Sequence, residues 1–131
     1  MRKKISVIIT TALLILLIMF YISTVIVYNA IFSYRCTSDT NVMAKMEDYE
    51  YLERTRYEFN TRKNIKLVGY LYNNKEVEEK ALVVFAHGLG GGGQVGYLEI
   101  FNYLSSNGYY VFAYDATAND ESEGKVVGGL P

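Results

Sequence analysis

The sequence predicts an α/β domain, built from an antiparallel hairpin and one βαβ unit, behind a single transmembrane helix. Three observations predict it. Ile5 to Tyr28 is a run of 24 residues with no charged side chain. Two β-prone segments, Tyr57–Phe59 and Ile65–Tyr72, flank a polar turn. An apolar strand, an amphipathic helix and a second apolar strand then follow one another within residues 81–114.

The apolar run comes first. A helix needs roughly 20 residues, rising 1.5 Å each, to cross a hydrocarbon layer. Ile5–Tyr28 is long enough, and too long for the apolar region of a cleaved signal peptide. Arg2, Lys3 and Lys4 precede it, and Arg35 alone follows closely. That asymmetry predicts a single-pass anchor in the cell membrane, N-terminus cytoplasmic and domain external, with the bilayer as a partner through residues 5–28. The predicted organisation is a short basic segment over 1–4, the span over 5–28, a juxtamembrane stalk over 29–55 and a domain over 56–131. Val42–Leu52 is expected to hold a short helix capped by Thr40 or Asn41.

Charge divides the same way. All 14 Asp and Glu lie after residue 36, with 9 of the 13 Lys and Arg, a net −5 for that part. This excludes nucleic acid as a partner, whose footprint is a basic face. Cys36 is the one cysteine, so no internal disulfide forms and no thiol cluster binds metal.

In the domain, Ile65, Leu67, Gly69 and Leu71 share one strand face, and Val68, Tyr70 and Tyr72 the other. Asn60–Asn64 suits a hairpin turn, and Glu76, Glu78 and Glu79 read as solvated surface. Ala81–Ala86 is a continuous apolar run, the pattern of a strand covered on both faces. Gln94–Ser106 reads as a helix with a stripe of Val95, Leu98, Phe101 and Leu104, widened by Ile100. Asn107-Gly108 closes it. Tyr109–Tyr114 is a strand parallel to Ala81–Ala86. Residues after Ala116 are loop-like, and Pro131 suits the start of another helix.

Ligands bind at the C-terminal ends of strands in open α/β sheets. Here that end reads Ala86-His87-Gly88-Leu89-Gly90, followed by three more glycines. The ordered set Val83-Val-Phe-Ala-His-Gly-Leu-Gly90, a helix, Asn107-Gly-Tyr-Tyr-Val-Phe-Ala-Tyr-Asp115 and Asn119-Asp-Glu-Ser-Glu-Gly124 resembles the N-terminal third of an α/β-hydrolase. In style it is similar to the lysophospholipase and serine-aminopeptidase-like branch. The resemblance covers Arg56–Pro131. It implies the N-terminal part of an α/β-hydrolase sheet, with Ala81–Ala86 between Tyr109–Tyr114 and the nucleophile-bearing strand. It makes the Leu89 N–H, beside Gly90, an oxyanion-hole donor. His87, Gly88, Asp115, Ser122 and Gly124 become motif residues, with His87 ordering its loop and not moving protons. Ala118 departs from the pattern, standing where the family often has a glycine.

Such hydrolases place the nucleophile in Gly-x-Ser-x-Gly, followed by the acid and then the His. None of the serines at 6, 23, 33, 38, 105, 106 and 122 has that context, and His87 is the one histidine. The resemblance therefore implies a serine hydrolase of esters, amides or thioesters whose nucleophile, acid and catalytic His lie beyond Pro131. Its partner is a small-molecule or peptide substrate, with no metal and no organic cofactor. This chain alone is expected to be inactive. With no nucleophile strand beside it, Ala81–Ala86 becomes an exposed edge, and residues 36–131 alone are expected to be unstable or self-associating.

Two other readings compete. Gly88, Gly90 and Gly93 match the dinucleotide fingerprint, with Asp115 at the end of the next strand placed to bind a ribose. Alternatively, the chain is a non-catalytic membrane-anchored interaction protein.

Overall fold

The computed structural model describes residues 2–41, 43–78, 80–90 and 92–127. Two compact units result, Met1–Ser33 and Tyr34–Pro131. The first is helix α1 (Arg2–Phe32), within which Lys3–Phe32 is long and apolar enough to cross a membrane. Thr10, Thr24 and Asn29 bond their side chains to carbonyls four residues back, so these polar groups are satisfied within the helix.

The second unit contains β1 (Leu52–Asn60), β2 (Lys66–Asn74), β3 (Ala81–Ala86), α2 (Leu98–Ser106) and β4 (Tyr109–Tyr114). The sheet order is β1-β2-β4-β3. β1 and β4 run antiparallel to β2, and β3 runs parallel to β4. The hairpin turn closes at Thr61–Ile65, where Asn64 takes φ 57°, a left-handed conformation that Asn tolerates.

The core lies between α2 and one sheet face. Tyr72, Val111 and Ala113 are fully buried there, with Phe101 of α2 stacked 4.8 Å from the Tyr72 ring and 5.0 Å from Phe85. The Tyr72 hydroxyl donates to Gln94 Oε1, and burial pushes its pKa up to about 12. The opposite face lacks such cover among the described residues. Leu82 and Val84 are 57% and 65% exposed there, and Tyr57 and Phe59 pack beside Phe112 half in solvent.

Several expectations change. β1 is nine residues long, beginning at Leu52, where the sequence indicated Tyr57–Phe59. Its charges hid it. Arg56 pairs with Glu58 and Glu121, and Arg54 lies 4.5 Å from the Tyr70 ring centroid, so an edge strand carries a polar pattern. The helix expected over Val42–Leu52 is a single 3₁₀ turn, Met46–Asp48, held by the Asp48 carboxylate accepting the Lys45 N–H. Pairing of Leu52 with Asn74 draws the chain into the sheet instead. Val42 itself, Glu79, Gly91 and the helix expected at Pro131 lie outside the described residues. The Gln94–Ser106 helix starts as a 3₁₀ turn, Gln94–Tyr97, and Ile100 points out, 45% exposed. Among the described residues β3 is covered on one face and not on both, while its place at the sheet edge agrees with the resemblance.

Phe101 and Ile100 both belonged to the expected stripe, and burial separates them. Phe101→Ala is expected to lower unfolding free energy by about 3–5 kcal/mol, and Ile100→Ala by about 0.5 kcal/mol or less. Urea denaturation followed by near-ultraviolet tyrosine dichroism measures both; equal losses would contradict the packing described.

Candidate functional site

The chain leaves β3 at Ala86 and enters the glycine loop through His87. The Ala116 N–H donates to His87 Nε2 at 2.9 Å, so that nitrogen carries no proton. Nδ1 then holds the ring proton and donates to the Gly88 carbonyl at 2.8 Å. One imidazole thus ties the loop after β3 to the loop after β4, with both nitrogens engaged.

Leu89 is 63% exposed, and its N–H has no partner among the described residues. Gly90 takes φ +81°. Leu89, His87 and Gly88 form one side of a cavity of about 270 Å³ whose other side is Ala116, Asn119 and Val127. Asn119 directs its amide N–H groups to the Ala116 and Thr117 carbonyls, leaving Oδ1 buried without a partner.

Asp115 is fully buried. Its Oδ1 accepts the Gln94 N–H at 2.8 Å and Oδ2 the Glu121 N–H at 3.3 Å. Burial pushes this carboxyl above its ordinary value, and the two N–H donors pull it part of the way back. Asp120 accepts the Gly93 N–H at 2.9 Å and the Ser38 hydroxyl at 2.7 Å. A Cβ on Gly93 would collide with both carboxylates, so glycine is required there to let them approach.

This geometry removes the dinucleotide reading. A pyrophosphate needs free N–H groups at the helix start. Those of Gly93 and Gln94 are already bonded to Asp120 and Asp115, whose charges repel a further anion. Asp115 is turned inward, away from any ribose.

Ser122 and Gly124 hold the loop. The buried Ser122 Oγ donates to the Asp115 carbonyl at 2.6 Å and accepts the Val68 N–H at 2.9 Å, joining the loop to β2. Gly124 has φ +119°, and a side chain there would strike Thr117. Ala118, where a glycine was expected, still adopts φ 61°. That left-handed conformation carries the strain a side chain brings to it.

Residues 35–38 went unrecognised as part of this region. Arg35 was legible only as a flanking charge and Cys36 as a plain thiol. Yet the Arg35 guanidinium bonds the carbonyls of Asp120, Ser122 and Gly124, and Ser38 bonds the Asp120 carboxylate.

The fold has relatives among solved structures. The Pyrococcus furiosus esterase Pf2001 aligns in one crystal form with a TM-score of 0.50 and 22% identity, over 70% of this chain and 34% of that one. A second form gives 0.49 and 23%, over 71% and 35%. The α/β hydrolase GrgF from Penicillium sp. sh18 aligns at 0.46 and 22%, over 56% and 25%. No family model and no curated protein matches the chain. The chain spans about a third of the length of the esterase structures. At this identity the likeness defines the fold, a mixed four-stranded sheet similar to that of an α/β hydrolase.

The Asp115 environment sets a pH dependence. The folded pKa lies above the unfolded value of 3.8, so the folded state holds this proton more tightly. The resulting stabilisation is complete below pH 3.8 and is lost as pH rises through the folded pKa. Asp115→Asn has no such proton. The stability of the wild type relative to D115N should therefore fall as pH rises from 3.8 toward neutrality, measured by urea midpoints. A difference that grows with pH would refute the assignment.

Proposed function

We infer that this chain is the N-terminal part of a membrane-anchored serine hydrolase in the lysophospholipase and serine-aminopeptidase-like branch. It acts on an ester, amide or thioester, with α1 as a single-pass anchor in the cell membrane, the N-terminus cytoplasmic and the domain external. The nucleophile, acid and catalytic His come from sequence beyond Pro131.

One observation carries the reading: Leu89, whose N–H has no partner among the described residues, lines a cavity of about 270 Å³ on a loop that His87 fixes. Acyl transfer builds negative charge on a carbonyl oxygen. A donor already in place stabilises that charge without reorganising during the reaction. The bonds of His87 to Ala116 and Gly88 supply this preorganisation. They also occupy both ring nitrogens, so His87 positions and does not transfer protons. In the described residues the site has the donor and the cavity wall, and no activated nucleophile.

Two outcomes test this. The chain itself is expected to show no phosphonate-sensitive turnover of a chromogenic short-chain ester; such turnover would overturn the assignment of the nucleophile to later sequence. If the reading frame continues through a Gly-x-Ser-x-Gly elbow, Leu89→Pro in that longer protein removes the N–H and is expected to lower kcat by about 10²–10³. Leu89→Ala keeps the N–H and should keep kcat. Equal kcat in all three proteins would remove Leu89 from this role.

A further inference from the structure

We propose that Arg35–Ser38 is a working part of the site, with Arg35 its positioning residue. The segment clamps the glycine loop to the Asp115–Gly124 loop and so fixes the His87 ring and the Leu89 N–H at the cavity. The meaning of that cavity rests on the hydrolase reading; the clamp does not.

Arg35, Cys36 and Ser38 between them bond both loops. Arg35 Nη2 donates to the carbonyls of Asp120 at 2.7 Å and Ser122 at 2.9 Å, and Nη1 to that of Gly124 at 3.3 Å. A guanidinium presents a rigid planar set of donors, which suits carbonyls converging from one loop. Cys36 pairs its main chain with the same loop, its N–H to Ala118 O at 2.9 Å and its carbonyl from the Asp120 N–H at 3.0 Å. Toward the glycine loop, Cys36 Sγ accepts the Gly92 N–H at 3.1 Å. The Ser38 N–H and hydroxyl donate to the Asp120 carboxylate at 2.6 and 2.7 Å, and Ser38 Oγ accepts the Gly93 N–H at 3.0 Å.

The clamped loop needs such a hold. Ala118 and Asp120 have φ of 61° and 33°, in the region that non-glycine residues resist. Conformations of this kind persist where the surroundings over-determine them. This loop supplies Ala116 and Asn119 to the cavity, and the glycine loop supplies His87, Gly88 and Leu89. The bond from the Ala116 N–H to His87 Nε2 joins the two, so releasing the segment should release the imidazole.

His87 is the one histidine, so its ring nitrogens give an unambiguous nitrogen-15 signal. The experiment uses the full chain in detergent micelles, in mildly alkaline buffer. The wild type should show one protonated nitrogen, Nδ1, and one bare nitrogen, Nε2. In Arg35→Ala the two signals should move toward each other as tautomers mix. Amide exchange at Asp120, Gly92 and Gly93 should rise at least tenfold, while β2 and β4 amides keep their protection. Arg35→Lys retains the charge without the planar fork and should restore the signals only in part. Ser38→Ala should raise exchange at Gly93 and Asp120. If R35A loses β2 and β4 protection and so unfolds, S38A decides on the same amides. Wild-type exchange at Asp120 and Gly93 in S38A, or wild-type His87 signals in a folded R35A, would overturn the clamp. No turnover is measured, so this result and the fate of the hydrolase reading are independent.

Discussion

The second unit depends on one buried carboxylate. Asp115 directly follows β4 and directs its two oxygens to the N–H groups of Gln94 and Glu121. Its own N–H donates to Val68 of β2, and its carbonyl accepts the Ser122 hydroxyl. Strand, helix start and loop therefore meet at a single residue. Burying an ionised group is costly unless donors replace the lost water, and these two N–H groups offset part of that cost. The arrangement also fixes where the helix begins, because the donors at a helix start have no partner within the helix. Gln94 takes part twice, through its N–H to Asp115 and through its side-chain oxygen to Tyr72 in the core.

Close approach of the same kind explains Gly92 and Gly93. Glycines after a strand and before a helix let something approach the backbone closely. In a dinucleotide site that partner is a phosphate. Here it is the chain's own carboxylates and Ser38, packed where a Cβ on Gly92 or Gly93 would stand. A spacing pattern reports the need for close approach but not what approaches. The identity of the anion depended on Asp115 and Asp120, which are 21 and 27 residues from their respective donors.

What was legible follows from this distinction. β2, β3 and β4 were legible because their apolar residues match their elements, and the parallel pairing of β3 with β4 follows from the short helical crossover. The first half of β1 was hidden because its side chains are charged and paired across an edge. In the site, His87, Gly88 and Leu89 were locatable from local order. Arg35 and Ser38 were not, because their partners lie 55 to 89 residues away and neither has a periodic context. An arginine just past an apolar helix carries a sufficient topological explanation, which masks its second role.

The open edge and the candidate site meet at one rim of the sheet. β3 pairs only with β4 among the described residues and exposes Leu82 and Val84. A parallel strand added beside β3 would lie about 4.8 Å away and end at the same rim. Its following residue would emerge next to His87 and Leu89, which line the cavity. Such a strand would pair the free edge of β3, while the exposed Leu82 and Val84 on the sheet face would need cover from another layer. In this reading, the N–H of Leu89 is placed by β3, by the His87 bond to Ala116 and by the segment after α1, before any catalytic side chain is in position.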